Sequence, residues 1–162
     1  MAHIDLGDNP APGIRGLLAY RPDTGRALMQ LADTLLRSSD GLTPGERELI
    51  AAHVSKLNDC TYCELSHAAV ASLHHPAVSA KLEALLRVAA ATRDSGHAVT
   101  DDLVSQARAE GATDVEIHDT ILIAAAFSMF NRYVDGLGTA APTDPAAYLP
   151  GAERIHRHGY TS

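Results

Sequence analysis

Residues 43–67, TPGERELIAAHVSKLNDCTYCELSH, decide the fold of this chain. Thr43 can cap a helix, a proline follows at the first helical position, and Glu46 can bond back to the cap. Asn58 and Asp59 then turn the chain, and Asp59 is a suitable N-cap for a second helix over residues 60–73. The stretch therefore predicts two consecutive helices that pack as an antiparallel hairpin.

Both cysteines of the chain lie in this stretch, as a C-x-x-C pair formed by Cys60 and Cys63. The first turn of a helix favours an anion, because its backbone N–H groups lack partners. His67 follows Cys63 by four residues, so a helix places their Cβ atoms about 5–6 Å apart. A free thiol is only about 3% thiolate at pH 7, and the thiolate is the reactive form. The pattern predicts an activated thiol pair, in which a sulfenic acid on one cysteine is captured by the other.

Glu48 lies on the preceding helix, roughly 14 Å back from the turn at 1.5 Å per residue, and His67 lies roughly 10 Å beyond it. In an antiparallel hairpin the two side chains therefore reach nearly the same level. A carboxylate beside an imidazole orients the ring and raises its basicity. We predict Cys60, Cys63, His67 and Glu48 as catalytic residues.

The overall composition narrows the class of protein. The chain has 162 residues, 20 acidic and 13 basic side chains and a net charge of -7, without a Lys/Arg cluster, which argues against a nucleic-acid partner. The longest apolar run, residues 121–127, is too short to span a bilayer, so no membrane is expected. The N-terminus does not resemble a secretory signal, and a cytoplasmic location is expected. In that compartment a close cysteine pair is typical of a catalytic or metal-binding site.

The residue usage predicts the fold class. Alanine and leucine are abundant, aromatic residues make up 4%, and alternating β-type runs are scarce. We predict an all-α, single-domain bundle of about six to seven helices, with the catalytic hairpin inside it and assembly into an oligomer. Residues 1–20 are expected to form an extended arm, residues 21–140 the helical domain, and residues 141–162 a non-helical tail that contains three prolines. An apolar stripe over residues 117–125 is expected to form core or subunit interface.

The spacing Glu48-x11-Cys60-x2-Cys63-x3-His67 resembles the signature of the alkylhydroperoxidase D-like family, within the wider carboxymuconolactone decarboxylase superfamily. The flanking residues 47–51 and 54–55 and the stretch 130–138, FNRYVDGLG, are similar to the peroxidase-related branch. The resemblance covers roughly residues 20–140.

The resemblance implies an all-α fold that assembles into trimers or hexamers. It implies a cofactor-free peroxidase that reduces hydroperoxides and is recycled by a dithiol, dihydrolipoamide-like or thioredoxin-like. By this resemblance Cys63 is the peroxidatic thiol and Cys60 the resolving thiol, while His67 and Glu48 form a proton relay. The best-studied members have a histidine between the cysteines, where this chain has Tyr62. The decarboxylase branch lacks the cysteine pair, so decarboxylation is not the expected reaction.

Alternatives remain open at this point. Cys60, Cys63 and His67 supply three zinc ligands, and Glu48 or His53 could supply a fourth, in a metal-binding or redox-sensing protein without turnover. The cysteines also suit a disulfide oxidoreductase with a non-peroxide substrate, or two small buried apolar side chains. Tyr62, His53 and Asn131 are weaker candidates for substrate binding.

Overall fold

The computed structural model describes residues 2–8 and 10–161; Met1, Asn9 and Ser162, which fall in the predicted arm and tail, lie outside the described residues. Over the described ranges the chain is all-helical, which confirms the predicted fold class. The α-helices are α1 (Ile14–Tyr20), α2 (Pro22–Arg37), α3 (Pro44–Leu57), α4 (Thr61–His74), α5 (Ala80–Asp94), α6 (Asp101–Ala109), α7 (Asp114–Gly136) and α8 (Leu149–His158). Two short 3-10 helices cover Gly96–Ala98 and Pro145–Tyr148.

Helices α3 and α4 form the predicted hairpin. The capping box at the start of α3 is present, since the Glu46 amide donates to Thr43 Oγ1 at 3.3 Å and the Thr43 amide donates to Glu46 Oε2 at 2.8 Å. The predicted cap of α4 is wrong. Asp59 takes a left-handed conformation with φ 57° in the turn, and Cys60 is the N-cap residue. The tight turn therefore places Cys60 at the N-terminus of α4, one residue before the first helical turn.

Helix α7 runs through the core of the bundle. It opens with a second capping box, between Thr113 and Glu116, and extends over 23 residues. Its buried side chains pack with those of α2, α3 and α5 in one apolar core, whose members include Leu36, Ile50, Leu85, Ile123, Phe127 and Phe130. Neither α7 nor any other helix in the described ranges is long and apolar enough to cross a membrane.

Arg47 fixes the position of α3. Its side chain is 1% exposed and donates to the carbonyl oxygens of Leu35, Leu42 and Asp40, at 2.9, 3.0 and 2.6 Å. It also forms an ion pair with Asp119 of α7 at 2.7 Å. One buried cation thus ties the α2–α3 connection and α7 to the helix that carries Glu48.

Both ends of the chain contain a helix that the sequence did not predict. The extended arm is a wrong prediction for residues 14–20, which form α1 with Leu17 in the core. The non-helical tail is also wrong, because α8 forms there and packs on α4. Pro145 and Pro150 lie in the first turns of their helices, where the amide hydrogen of a residue has no helical partner and proline is tolerated.

The apolar stripe of α7 divides between core and surface. Ile117 is buried, whereas Leu122 is 40% exposed. Val115 and Met129, seven residues to either side of Leu122, are 46% and 44% exposed. Assembly into trimers or hexamers stays a prediction, which sedimentation velocity of the purified protein would measure.

Candidate active site

The cysteine pair lies at the N-terminus of α4, inside the fold. Cys60 is the N-cap residue and is fully buried, and its amide donates to the carbonyl oxygen of Ser55 on α3 at 3.0 Å. Cys63 is 4% exposed and lies in the first helical turn. Both cysteines are free thiols. Because only Cys63 of the two lines the neighbouring cavity, an incoming molecule reaches Cys63 first.

The two thiols differ in acidity. A hydrogen bond from Cys60 lowers the pKa of Cys63, and the positive charge of a protonated His67 and a hydrogen bond with Asn131 lower it further, against the opposing effect of burial. The same interaction with Cys63, together with burial, raises the pKa of Cys60. The pair therefore shares its protons unequally: Cys60 keeps its hydrogen and Cys63 is the readier thiolate.

Glu48 and His67 meet across the hairpin, at the level that the residue spacing predicts. His67 Nδ1 lies 2.7 Å from Glu48 Oε2, and the carboxylate is 2% exposed. Since Nδ1 faces the carboxylate, it carries the hydrogen of that bond, and Nε2 is the nitrogen left to accept a proton. The edge of the His67 ring also packs on Phe127, with 4.6 Å between ring centroids, which limits its rotation.

Tyr160 completes this group and was not predicted from the sequence. Its hydroxyl donates to Glu48 Oε1 at 2.6 Å and lies 3.2 Å from His67 Nδ1. Burial and the negative charge of Glu48 raise the pKa of Tyr160 well above 10, so the hydroxyl stays protonated and remains a donor. Each oxygen of the Glu48 carboxylate thus has one partner, and the carboxylate is held in place from both sides.

The segment that carries Tyr160 is attached to α2. The Tyr160 amide donates to Asp33 Oδ1 at 2.8 Å, and Arg37 Nη1 donates to the carbonyl oxygen of Ile155 at 2.8 Å. Gly159 makes the turn between α8 and Tyr160 with φ 87°, and a Cβ atom there would lie 2.5 Å from Asp33 Oδ1. A side chain larger than hydrogen therefore does not fit at position 159 without displacing this contact.

The three weaker candidates occupy different places. Tyr62 lines the cavity, and its ring packs against Tyr148 with 5.6 Å between centroids. Asn131 is buried beside the thiols, where it donates to Ser55 Oγ at 3.0 Å and lowers the pKa of Cys63. His53 is half-buried on α3, does not line the cavity, and has its pKa lowered by burial.

A cavity of about 590 Å³ adjoins the reactive groups. Its walls come from α1, α2, α4, α7, the second 3-10 helix and α8, so both ends of the chain enclose it. The polar side chains of Cys63, Ser66, His67 and Tyr160 form part of its wall. The site therefore offers a thiolate and a paired imidazole to a molecule held in a mostly apolar space.

Metal binding has no geometric support among the described residues. No group of three or more His, Cys, Asp and Glu side chains in those ranges is arranged to hold a metal ion. Glu48, one of the two candidates for the fourth zinc ligand, accepts hydrogen bonds from His67 and Tyr160.

Residues 22–101 match the sequence model of the carboxymuconolactone decarboxylase family. A solved structure from Ralstonia eutropha JMP134, described as an alkylhydroperoxidase AhpD core and uncharacterized peroxidase-related protein, is 28% identical and superposes with a TM-score of 0.73 over 86% of this chain and 80% of that one. An uncharacterized peroxidase-related protein from Silicibacter sp. TM1040, 19% identical, shares the fold with a TM-score of 0.76 over 91% and 94% of the two chains. None of the curated proteins matches the chain significantly in sequence.

Proposed function

We propose that this protein is a thiol-dependent peroxidase that reduces organic hydroperoxides through Cys63 and Cys60. The observation that carries the proposal is the asymmetric thiol pair beside a carboxylate-bound imidazole, with the more acidic thiol facing the cavity. The resemblance to the AhpD core from Ralstonia eutropha JMP134, 28% identical, supports the same class of reaction. The cysteine pair argues against decarboxylation, in which it would have no role.

The first step oxidises Cys63. Its thiolate attacks one oxygen of the hydroperoxide, a sulfur–oxygen bond forms, and the O–O bond breaks. The alkoxide that leaves takes a proton from His67 and departs as the alcohol, while Cys63 becomes a sulfenic acid. Glu48 stabilises the imidazolium that supplies this proton, because its carboxylate lies 2.7 Å from Nδ1.

The second step closes a disulfide. Once Cys63 is a sulfenic acid, it no longer carries the thiolate whose interaction raises the pKa of Cys60. Cys60 then loses its proton, attacks the Cys63 sulfur and displaces hydroxide, which leaves as water with that proton. The sum is one hydroperoxide and two thiols converted to alcohol, water and a disulfide. An external dithiol, dihydrolipoamide-like or thioredoxin-like, restores both thiols by exchange.

Mass spectrometry after peroxide treatment tests the proposal. The reduced protein is mixed with one equivalent of cumene hydroperoxide, its remaining thiols are alkylated, and the digest is examined for the peptide that holds both cysteines. We expect an intramolecular disulfide between Cys60 and Cys63, and steady consumption of hydroperoxide when a dithiol is added. Two alkylated cysteines after excess peroxide would contradict the proposal, and turnover of disulfides without consumption of peroxide would favour a disulfide oxidoreductase.

A further inference from the structure

A chain of side-chain hydrogen bonds runs from α5 to the cysteine pair. Arg93, near the C-terminus of α5, donates from Nε to Asn58 Oδ1 at 2.9 Å. Asn58, the C-cap residue of α3, donates from Nδ2 to Asn131 Oδ1 at 2.9 Å, and the same nitrogen lies 3.5 Å from Ser128 Oγ. Asn131 donates in turn to Ser55 Oγ at 3.0 Å. These bonds link α3, α5 and α7 at the level where the chain turns into α4.

The far end of this chain of bonds lies beside the thiols. Asn131 is 1% exposed and Ser55 is fully buried, and the Ser55 carbonyl oxygen accepts from the Cys60 amide at 3.0 Å. A side-chain amide nitrogen carries two hydrogens. One of those on Asn131 goes to Ser55, and the other is available for the hydrogen bond with Cys63 that lowers the pKa of that thiol. Asn131 therefore presents a donor to Cys63, and a donor favours the thiolate over the thiol.

Arg93 decides the direction of these hydrogen bonds. A guanidinium group has only donors, so the atom of Asn58 that faces it is the amide oxygen. The other end of that amide is then the NH2 group, which faces the oxygen of Asn131. With its oxygen engaged, Asn131 turns its own NH2 group toward Ser55 and Cys63. Ser55 alone would allow either orientation, because a serine hydroxyl donates as well as it accepts.

Arg93 is itself held from two further sides. Its Nη2 donates at 2.5 Å to the carbonyl oxygen of Leu57, one of the carbonyl groups that the end of α3 leaves without a helical partner. Another guanidinium nitrogen forms an ion pair with Asp94. The side chain is 33% exposed, so its charge stays in contact with water while Nε points inward to Asn58. Arg93 therefore also stabilises the end of α3, a role that must be separated from its effect on Asn131.

We infer that Arg93 and Asn58 are positioning residues, which fix the side-chain amide of Asn131 with its N–H toward Cys63 and thereby keep that sulfur a thiolate. Asn131 is the group in contact with the sulfur, and Arg93 acts on it through two amides in series. The orientation stands on the hydrogen bonds alone, and its use in peroxide reduction rests on the proposed function.

Asn58→Asp should reverse the Asn131 amide without breaking the network. The new carboxylate accepts from Arg93 as the amide oxygen did, but it has no hydrogen to donate. Asn131 then turns its NH2 group toward the carboxylate and its carbonyl oxygen toward Ser55 and Cys63. Because the serine hydroxyl can donate to that oxygen, the polar atoms keep their partners and the protein should stay folded. The Cys63 thiolate, in contrast, loses its donor and faces an acceptor.

The pH dependence of alkylation by iodoacetamide measures this change without any peroxide. Fragment spectra assign the label to Cys63, and circular dichroism and the melting temperature report on the fold. In Asn58→Asp we expect the midpoint of labelling to rise by about one pH unit, which makes labelling roughly tenfold slower at a pH below both midpoints. An unchanged midpoint in the folded variant would overturn the inference.

Asn58→Asp also adds a negative charge, which by itself raises the pKa of a nearby thiol. Combining it with Asn131→Ala separates charge from orientation. If the change acts through the amide of Asn131, it should no longer move the midpoint in the Asn131→Ala background. An equal rise in both backgrounds would assign the effect to charge and overturn the inference. Every variant keeps the titratable groups that act on Cys63 or respond to it, which are Cys60, Tyr62 and His67 at α4, Asp135 of α7 and Tyr148 of the second 3-10 helix.

Two changes at Arg93 give a second test, which does not require Asn131→Ala to fold. Arg93→Lys keeps a group that only donates, whereas Arg93→Gln supplies an amide that accepts as readily as it donates. Both lose the forked contact with Leu57, so both should lower the melting temperature by a similar amount. The midpoint should rise in Arg93→Gln and stay in Arg93→Lys. Arg87→Gln, at an exposed residue of the same helix, is the control for the lost charge. Equal midpoints in the Lys and Gln variants would contradict the role of Arg93.

Hydroperoxide kinetics on the same proteins separate this inference from the proposed function. In Asn58→Asp the rate with cumene hydroperoxide should fall roughly tenfold at a pH below both midpoints and approach that of the unmodified protein above them. A raised midpoint of alkylation in a chain that consumes no hydroperoxide, with or without the substitution, would support the inference and contradict the peroxidase. Consumption of hydroperoxide with an unchanged midpoint would overturn the inference and leave the peroxidase standing.

Discussion

The α3–α4 hairpin and the two ends of the chain contribute different things to one site. The hairpin supplies both thiols, the imidazole and the carboxylate, all within residues 48–67. The ends supply α1, α8 and Tyr160, which enclose the cavity and hold the carboxylate from its far side. The reacting groups are thus encoded close together in the sequence, whereas their surroundings depend on tertiary packing. Substitutions of the reacting residues in the hairpin should abolish or strongly slow hydroperoxide reduction, and substitutions at the chain ends should change its rate less.

The largest effect is expected within the hairpin, at Cys63. Cys63→Ser should reduce hydroperoxide consumption to background, because a serine hydroxyl is not ionised at neutral pH and does not replace the thiolate. Cys60→Ser should also stop steady turnover, yet it should still consume one equivalent of hydroperoxide and leave a sulfenic acid on Cys63. Stopped-flow consumption with trapping of the sulfenic acid by dimedone distinguishes the two variants. A sulfenic acid on Cys60 in the Cys63→Ser protein would reverse the assigned roles.

His67→Ala should slow peroxide reduction by roughly 10²- to 10⁴-fold, the usual contribution of a positioned general acid or base. The helicity should persist, because the ring is held at the cavity wall rather than in the main core. The control is His97→Ala, which removes an exposed imidazole from the first 3-10 helix. The rate of both variants is measured alongside far-UV circular dichroism. An unchanged rate in His67→Ala would remove this residue from the relay.

The same division explains how much the sequence could predict. Capping boxes are local, and the one predicted at Thr43 is present in the structure. The contact between Glu48 and His67 followed from helix rise alone, because a short turn joins their helices. Tyr160 lies 112 residues from Glu48 and carries no motif, so no local signal pointed to it.

The prediction of a non-helical tail is wrong for a physical reason. Proline stops a helix in its interior, but it is tolerated in the first turn, and a composition count does not distinguish the two positions. Pro145 and Pro150 both occupy such first turns. The helical tail brings Tyr160 to the site, so the wrong prediction of a non-helical tail also left out the residue that donates a hydrogen bond to Glu48.

Tyr160→Phe tests the contribution of the chain ends to the hairpin chemistry. The change removes the 2.6 Å hydrogen bond to Glu48 and keeps the ring in place. A hydrogen bond to a charged group contributes about 1.5–3 kcal/mol. Because only part of this energy stabilises the transition state, we expect peroxide reduction to be roughly tenfold slower. The pH dependence of the rate should also change, since the carboxylate beside His67 loses a partner. Tyr20→Phe, at a residue 52% exposed, is the control. A pH profile identical to that of the unmodified protein would limit Tyr160 to packing.

Cys60→Ala tests whether Cys60 causes the difference in acidity between the two thiols of the hairpin. The hydrogen bond from Cys60 is the main cause of the lowered pKa of Cys63. Thiolate forms as pH rises through the pKa, so a lowered pKa keeps Cys63 reactive at lower pH. Without Cys60 the pKa should rise, and the rate of alkylation by iodoacetamide should begin to increase only at higher pH. The pH dependence of alkylation, measured on both proteins by mass spectrometry, checks this. An unchanged midpoint would mean that His67 and the N-terminus of α4, rather than Cys60, lower the pKa of Cys63.

Gly159→Ala is expected to have the smallest effect. It tests whether the attachment of the tail to α2 matters for the reaction when the Tyr160 side chain itself is unchanged. At φ 87° and ψ −172° the backbone is in a region open almost only to glycine, where another residue costs on the order of 1–3 kcal/mol. The new Cβ would also press on Asp33 Oδ1, the acceptor of the Tyr160 amide. The segment can relieve this strain by detaching locally, so the melting temperature should fall by only a few degrees while the rate falls several-fold.

The control for this change is Gly96→Ala, whose Cβ would meet no atom within 4 Å. If Gly159→Ala acts through Tyr160, the double variant with Tyr160→Phe should be no slower than Tyr160→Phe alone, because both changes remove the same contact. Fully additive losses would mean that the turn at Gly159 affects the cavity by another route, through the position of α8. The rates of the four proteins in this cycle therefore decide whether the chain end acts on the hairpin through one hydroxyl group or through the shape of the cavity.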